Sequence, residues 1–197
     1  MTFKLGLTGS IGMGKTTTAQ MFAELGCAVW DADAAVHRLY GPGGSAVEPI
    51  GLTFPQAVVN GTVSRVMLKS IISYDTSALT RIEAIVHPLV AQDRIEFIRA
   101  SDADIIVFDI PLLFETDGHR SMDAVAVVSV DPEIQEKRVL DRGTMTYDQF
   151  VQIREKQIPD AEKCARANFV IQTGMLDNVR RQVAEIISEV KVMIKNA

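Results

Sequence analysis

The stretch Gly9-Ser10-Ile11-Gly12-Met13-Gly14-Lys15-Thr16 constrains this chain more than any other. It follows a short apolar run, Phe3 to Leu7, and precedes a helix-forming segment, Thr17 to Leu25. Glycine, four residues, glycine, lysine and a hydroxyl residue make a phosphate-binding loop when a strand leads in and a helix leads out. The glycines let the backbone wrap an anion with its N–H groups pointing inward. The helix adds unpaired N-terminal amides and the positive end of its dipole. Ser10, Ile11, Gly12, Met13, Gly14, Lys15, Thr16 and Thr17 are therefore the expected nucleotide contacts. Lys15 would reach the outer phosphates, and the Thr16 hydroxyl would ligate Mg²⁺. The glycines fall as G-x-x-G-x-G, not as the G-x-G-x-x-G of dinucleotide loops, which argues against a dehydrogenase. A nucleoside triphosphate is the expected ligand.

Bulk properties narrow the partners. At 197 residues, with 47% hydrophobic and 23% charged content, the chain can bury an ordinary soluble core. A formal net charge of −5 offers no footprint for nucleic acid, so local basic residues must meet any anion. Cys27 and Cys164 form no spaced framework and read as reduced thiols of a cytosolic enzyme. No apolar run approaches the ~18 residues of a membrane span. The first residues enter a strand with no secretory pattern, so a cytoplasmic protein without a membrane partner is expected.

Along the chain, a first strand at Phe3 to Thr8 and a helix to Leu25 lead to a second strand, Cys27 to Trp30. Asp31-Ala32-Asp33 lies just beyond it, at the strand end where open α/β sheets bind ligands. One of these acids should cap the helix Ala34 to Tyr40 and the other serve chemistry, with Asp33 the functional one. From Ser45 to about Arg99 the alternation of strands and helices fades. Asn60-Gly61 marks a turn, Val66 to Ile72 and Leu79 to Val86 read as helical, and a further helix over Val90 to Ala100 is expected to begin near His87-Pro88. Proline would present His87 at that helix start. This region reads as a substrate-binding excursion rather than a separate domain. Its basic residues Arg65, Lys69, Arg81 and Arg94 are mostly solvated surface.

Asp104 to Asp109 is a buried-strand pattern ending in an acid, the placement a phosphate-loop enzyme uses to hold a carboxylate near its metal. Glu115, after an apolar run, is either a surface acid or a site residue. Asp123 to Val130 is another strand, and Asp131-Pro132-Glu133 starts a helix. On it Gln135, Arg138 and Arg142 share one face. A second helix, Asp148 to Gln157, completes what resembles a lid hairpin, whose arginines would supply the cation that phosphoryl transfer requires. A last strand, Asn168 to Thr173, precedes a core-facing helix from Leu176 to Lys195.

The loop Leu7 to Thr16, Asp31-Ala32-Asp33, His87-Pro88, Pro111-Leu112-Leu113 with Glu115, Gln135 with Arg138 and Arg142, Gln157 and the block Ala167 to Ile171 together resemble the dephospho-coenzyme A kinases. The similarity runs through nearly the whole chain in order and spacing. It implies transfer of the ATP γ-phosphate to the ribose 3′-hydroxyl of dephospho-CoA, with Mg²⁺. It also implies an α/β P-loop nucleotide-kinase fold: a five-stranded parallel sheet flanked by helices, with a helical substrate-binding insertion and a lid. One domain would comprise a core of residues 1–33, 101–131 and 167–197, an insertion at about 34–100 and a lid at about 132–166.

By that resemblance Asp33 is the base for the 3′-hydroxyl, Lys15 and Thr16 serve phosphate and metal, and Arg142 with Arg138 is the lid cation. The substrate side would draw on Asp31, Asp33, Arg65, His87, Pro111, Leu112 and Leu113, in a monomer or small homo-oligomer. Ser10 replaces a usual glycine, Asn168 a common aspartate, and Ser64 a frequent aspartate before Arg65. Gln172-Thr173-Gly174, which would border the adenine, also departs from the family run. The rival readings are a nucleoside monophosphate kinase and a non-enzymatic nucleotide-dependent switch.

Overall fold

A computed structural model describes residues 2–196. In chain order, β1 (Phe3–Thr8), α1 (Lys15–Glu24) and β2 (Ala28–Asp31) are followed by α2 (Ala32–Tyr40) and α3 (Val47–Thr53). The two-residue strands β3 (Val58–Val59) and β4 (Thr62–Val63) precede α4 (Arg65–Tyr74) and α5 (Ala78–Ala100). Then come β5 (Ile105–Asp109), β6 (Ala124–Ser129), α6 (Pro132–Asp141), α7 (Tyr147–Glu155), α8 (Asp160–Arg166), β7 (Phe169–Gln172) and α9 (Leu176–Asn196).

The chain divides into two compact units, Met1–Trp30 with Asp102–Ala197, and Asp31–Ser101. The first is built on a five-stranded sheet in the order β2-β5-β1-β6-β7. β1 pairs in parallel with β5 and β6, and β6 with β7. β5 and β6 are buried along their whole length, as continuous apolar strands covered on both faces must be. Val179, Val183, Ile186, Ile187 and Val190 of α9 form a buried helical stripe, whereas Leu176 at the start of the helix, expected to belong to it, is exposed. The stripe joins Leu5, Leu7, Val107, Ala126, Val128 and Ile171 in one cluster. Full burial of each such side chain contributes about 1.5–3 kcal/mol.

The second unit holds a cluster of its own, with Leu39, Ile50, Phe54, Val63, Leu68, Ile82 and Val86 at its centre. The Asn60-Gly61 turn joins β3 to β4, a strand pair too short to show as alternation. α3 and α8, at seven residues each, carried too few turns to show a period.

One expectation fails here: His87-Pro88 does not begin a helix. It lies in the middle of α5, which runs unbroken through Pro88. Proline removes an N–H and crowds the carbonyl four residues back, which argues for a boundary. The apolar face overrides it, because Ile82 and Val86 before the proline and Leu89 and Val90 after it pack into the same cluster. Beyond the proline, Asp93 receives two hydrogen bonds from Arg38 of α2, at 3.2 and 2.6 Å.

Candidate active site

β1 ends at Thr8, whose hydroxyl donates to the Pro111 carbonyl at 3.0 Å, and the chain turns into the loop between Gly9 and Gly14. Glycine is required at several positions there, Gly9 and Gly12 among them. A Cβ at Gly9 would collide with the side chain and carbonyl of Val128 in β6. Gly12 has φ of +79°, and a Cβ on it would lie 2.5 Å from a Val139 methyl. The loop is thus pressed against β6 and α6, and α1 starts at Lys15 with its first amides at the loop's mouth.

Lys15 forms an ion pair with Asp109, the acid that ends β5. The parallel register of β1 and β5 sets Leu7 beside Asp109, which brings the strand-end carboxylate to the loop. Asp109 is 2% exposed and the Lys15 side chain 16%. Thr16 and Thr17 are exposed on the first turn of α1.

The α6–α8 region grips the same loop. Asp131 caps α6 by accepting from the Glu133 N–H at 2.8 Å, with Pro132 in the first turn. Gln135 then donates to the Ile11 carbonyl at 2.7 Å, and Gln157 accepts from the Ile11 N–H at 3.1 Å. Arg138 donates to Thr173, 3.1 Å to its hydroxyl oxygen and 2.6 Å to its carbonyl, and the Thr173 hydroxyl lies 2.7 Å from the Met13 carbonyl. Arg142, the C-cap of α6, is exposed. Gln135, Arg138 and Arg142 share a face as expected, yet Gln135 and Arg138 are tied to the loop and to Thr173. A cavity of about 390 Å³ opens beside Gly14 and Thr17, walled by Arg138, Arg142, Thr173 and Leu176. A larger one of about 790 Å³ lies by Met13, Val130, Gln135, Gln157 and Asp160.

Among the residues expected on the substrate side, Leu113 is fully buried with Phe114, Val125 and Val127, so its side chain has no surface to offer a ligand. Leu112 is exposed, and Pro111 contributes the carbonyl bound by Thr8. In the second unit, Asp31 is the N-cap of α2, accepting from the Ala34 N–H at 2.9 Å, while Asp33 stands exposed in the first turn. Arg65 follows the Ser64 cap of α4 and stacks 5.9 Å from the Tyr40 ring centre. His87 is exposed on α5.

Three contacts of residues noted in the sequence could not be read from it. Thr173 links Arg138 to the loop, and Asn168 accepts from the Val125 N–H at 2.8 Å, a strand-edge role for the residue that departs from the family pattern. Glu115 faces the fully buried Lys163 at 2.7 Å and accepts from the Ile158 N–H at 3.0 Å. Burial pushes the Glu115 carboxyl up, but the Lys163 and Ile158 contacts outweigh it and hold the group below the usual carboxylate range. Glu115, left undecided by its neighbours in sequence, gave a signal; Lys163 gave none.

A phosphate loop joining the first strand and helix of such a sheet, with a helical segment bound down on it, is the architecture of the P-loop kinases. The family model for dephospho-CoA kinase matches residues 3–178. A dephospho-CoA kinase of Ruegeria pomeroyi is 64% identical over 191 residues, 97% of either chain. One from a Jannaschia species is 53% identical over 96% of this chain and 97% of its own. The solved dephospho-CoA kinase of Campylobacter jejuni shares the fold at a TM-score of 0.70, with 22% identity over 96% of this chain and 98% of its own. The chain belongs to the dephospho-CoA kinase family.

Proposed function

We propose that the protein transfers the γ-phosphoryl group of ATP to the ribose 3′-hydroxyl of dephospho-CoA, releasing ADP and CoA in the last step of CoA synthesis, in the cytoplasm. The observation that carries this reading is Lys15, set by the loop beside the Asp109 carboxylate, in a chain of this family. Phosphoryl transfer has a loose transition state, so positioning and neutralisation of charge matter most.

The loop amides and Lys15 hold the triphosphate tail. The cavity beside Arg138, Thr173 and Leu176 takes the nucleoside end. Thr16 and Asp109 offer hard oxygen donors, and no cluster of three or more acids, histidines or cysteines exists among the described residues. That sparse set suits Mg²⁺, which keeps waters and phosphate oxygens in its shell. Bound there, Mg²⁺ would neutralise charge on the phosphate oxygens. Asp33 is the base that accepts the 3′-hydroxyl proton, a reading supported by the engagement of Asp31 Oδ1 as the cap of α2. As the new O–P bond forms, the bond from the γ-phosphorus to the ADP oxygen breaks. Arg142 meets the charge on the moving group.

Incubating the protein with Mg-ATP and dephospho-CoA and weighing the products tests this directly. CoA should form, with AMP, GMP and dTMP left unphosphorylated. Phosphorylation of a monophosphate in place of dephospho-CoA would overturn the reading.

A further inference from the structure

The Ile11 peptide of the phosphate loop is held on both of its polar groups. Gln135 donates to its carbonyl and Gln157 accepts from its N–H. Glutamine suits both tasks because its amide carries a donor and an acceptor. Gln135 is 3% exposed and held rigidly within α6. Gln157 lies just past the end of α7, where its own N–H donates to the Arg154 carbonyl at 3.1 Å, and the chain beyond it turns away from the helix ladder. Its neighbour Ile158 donates its N–H to Glu115 Oε1, the same oxygen that faces the Lys163 ammonium.

We propose that Glu115 is a positioning residue for the phosphate loop. Anchored by Lys163, it fixes the backbone at Ile158 and so aims Gln157 at the Ile11 N–H. The loop is thereby kept in its nucleotide-ready shape before the ligand arrives. The choice of nucleotide as ligand rests on the kinase reading above. Stability alone does not explain the pair, since a well-packed apolar pair is often as stable as a buried ion pair. What the apolar pair lacks is a directed acceptor for Ile158. A loop competent only part of the time loses affinity in proportion to that fraction.

The test uses the full chain, ADP without acceptor in a calorimeter, and hydrogen exchange of the Ile11 amide by NMR. Gln157→Ala should weaken ADP binding about 3–10-fold, the worth of one net hydrogen bond, and speed Ile11 exchange. Glu115→Gln should move both readouts the same way. The double variant should be no weaker than Gln157→Ala by more than about twofold, because both changes act on one bond. A Glu115→Gln protein that melts earlier but keeps normal ADP affinity and Ile11 exchange would overturn the proposal, as would losses that multiply in the double variant. Should Glu115→Gln not fold, Lys163→Gln takes its place: weaker ADP binding with faster Ile11 exchange supports the proposal, and normal values of both overturn it. Ile11 exchange needs no nucleotide, so failure of ADP to bind the unaltered protein would strike the kinase reading and leave this readout to decide the rest.

Discussion

Lys15 has two jobs that a second substitution separates. It is the expected phosphate ligand, and it is the counter-charge of an Asp109 that is 2% exposed. Lys15→Ala should abolish turnover and also cost about 1–3 kcal/mol of stability in urea unfolding, because a buried carboxylate loses a charged partner. Adding Asp109→Asn should restore much of that stability and none of the turnover. Arg142 and Asp33 permit a comparison of magnitudes. General-base help is worth about 10²–10⁴-fold and a positioned arginine roughly 10³–10⁵-fold. Arg142→Ala should therefore lose at least as much kcat as Asp33→Ala, and near-normal turnover in Arg142→Ala would remove it from the lid's chemistry. The loop residues themselves were legible from spacing. Their partners were not: Gln157 meets Ile11 across 146 positions and Lys15 meets Asp109 across 94.

Among the elements, α5 shows a sequence rule losing to packing. Pro88 reads as a helix boundary, yet apolar residues on either side of it share one buried cluster. Pro88 itself is exposed, so its ring adds little to that packing. Pro88→Ala should restore the missing backbone donor and raise thermal stability by about 1–3 kcal/mol, below the full ~3 kcal/mol penalty of an interior proline. A loss of stability instead would show that the ring is part of the unit's packing. The sheet strands and α9 were legible because continuous apolar runs and a long helical stripe are strong signals. α3, α8 and the β3–β4 pair were not, because two turns or two residues carry no period.

At the scale of the whole molecule, each compact unit has an apolar cluster of its own among the described residues. In the first unit, Glu115 and Cys27, both outside the chemistry, shape the pH range of stability. Glu115 lies below the usual carboxylate range, so its contribution is present above the unfolded value of 4.5 and is lost as pH falls through its folded value. Burial pushes the Cys27 thiol up to about 11, the small opposing pull of Lys191 notwithstanding. Its contribution is therefore present below the unfolded value of 9.0 and fades as pH rises toward 11. Denaturant unfolding across about pH 3 to 11 should show a plateau with two falling limbs. Glu115→Gln should flatten the acid limb and Cys27→Ala the alkaline one; unchanged limbs would shift the cause to other groups.

By itself the amino-acid sequence determined the phosphate loop, the strands that carry it, the acid at the end of β5 and the cap-and-proline start of α6. Each of these is written in neighbouring residues, through steric freedom, periodicity or capping. Only the tertiary structure decided that Asp31 caps and leaves Asp33 exposed, that Arg138 is bound to Thr173, that Leu113 belongs to the core, and that Glu115 and Lys163 stand behind Gln157. A side chain's job depends on which distant groups compete for its hydrogen bonds and its surface, and that competition begins only once the chain has closed on itself.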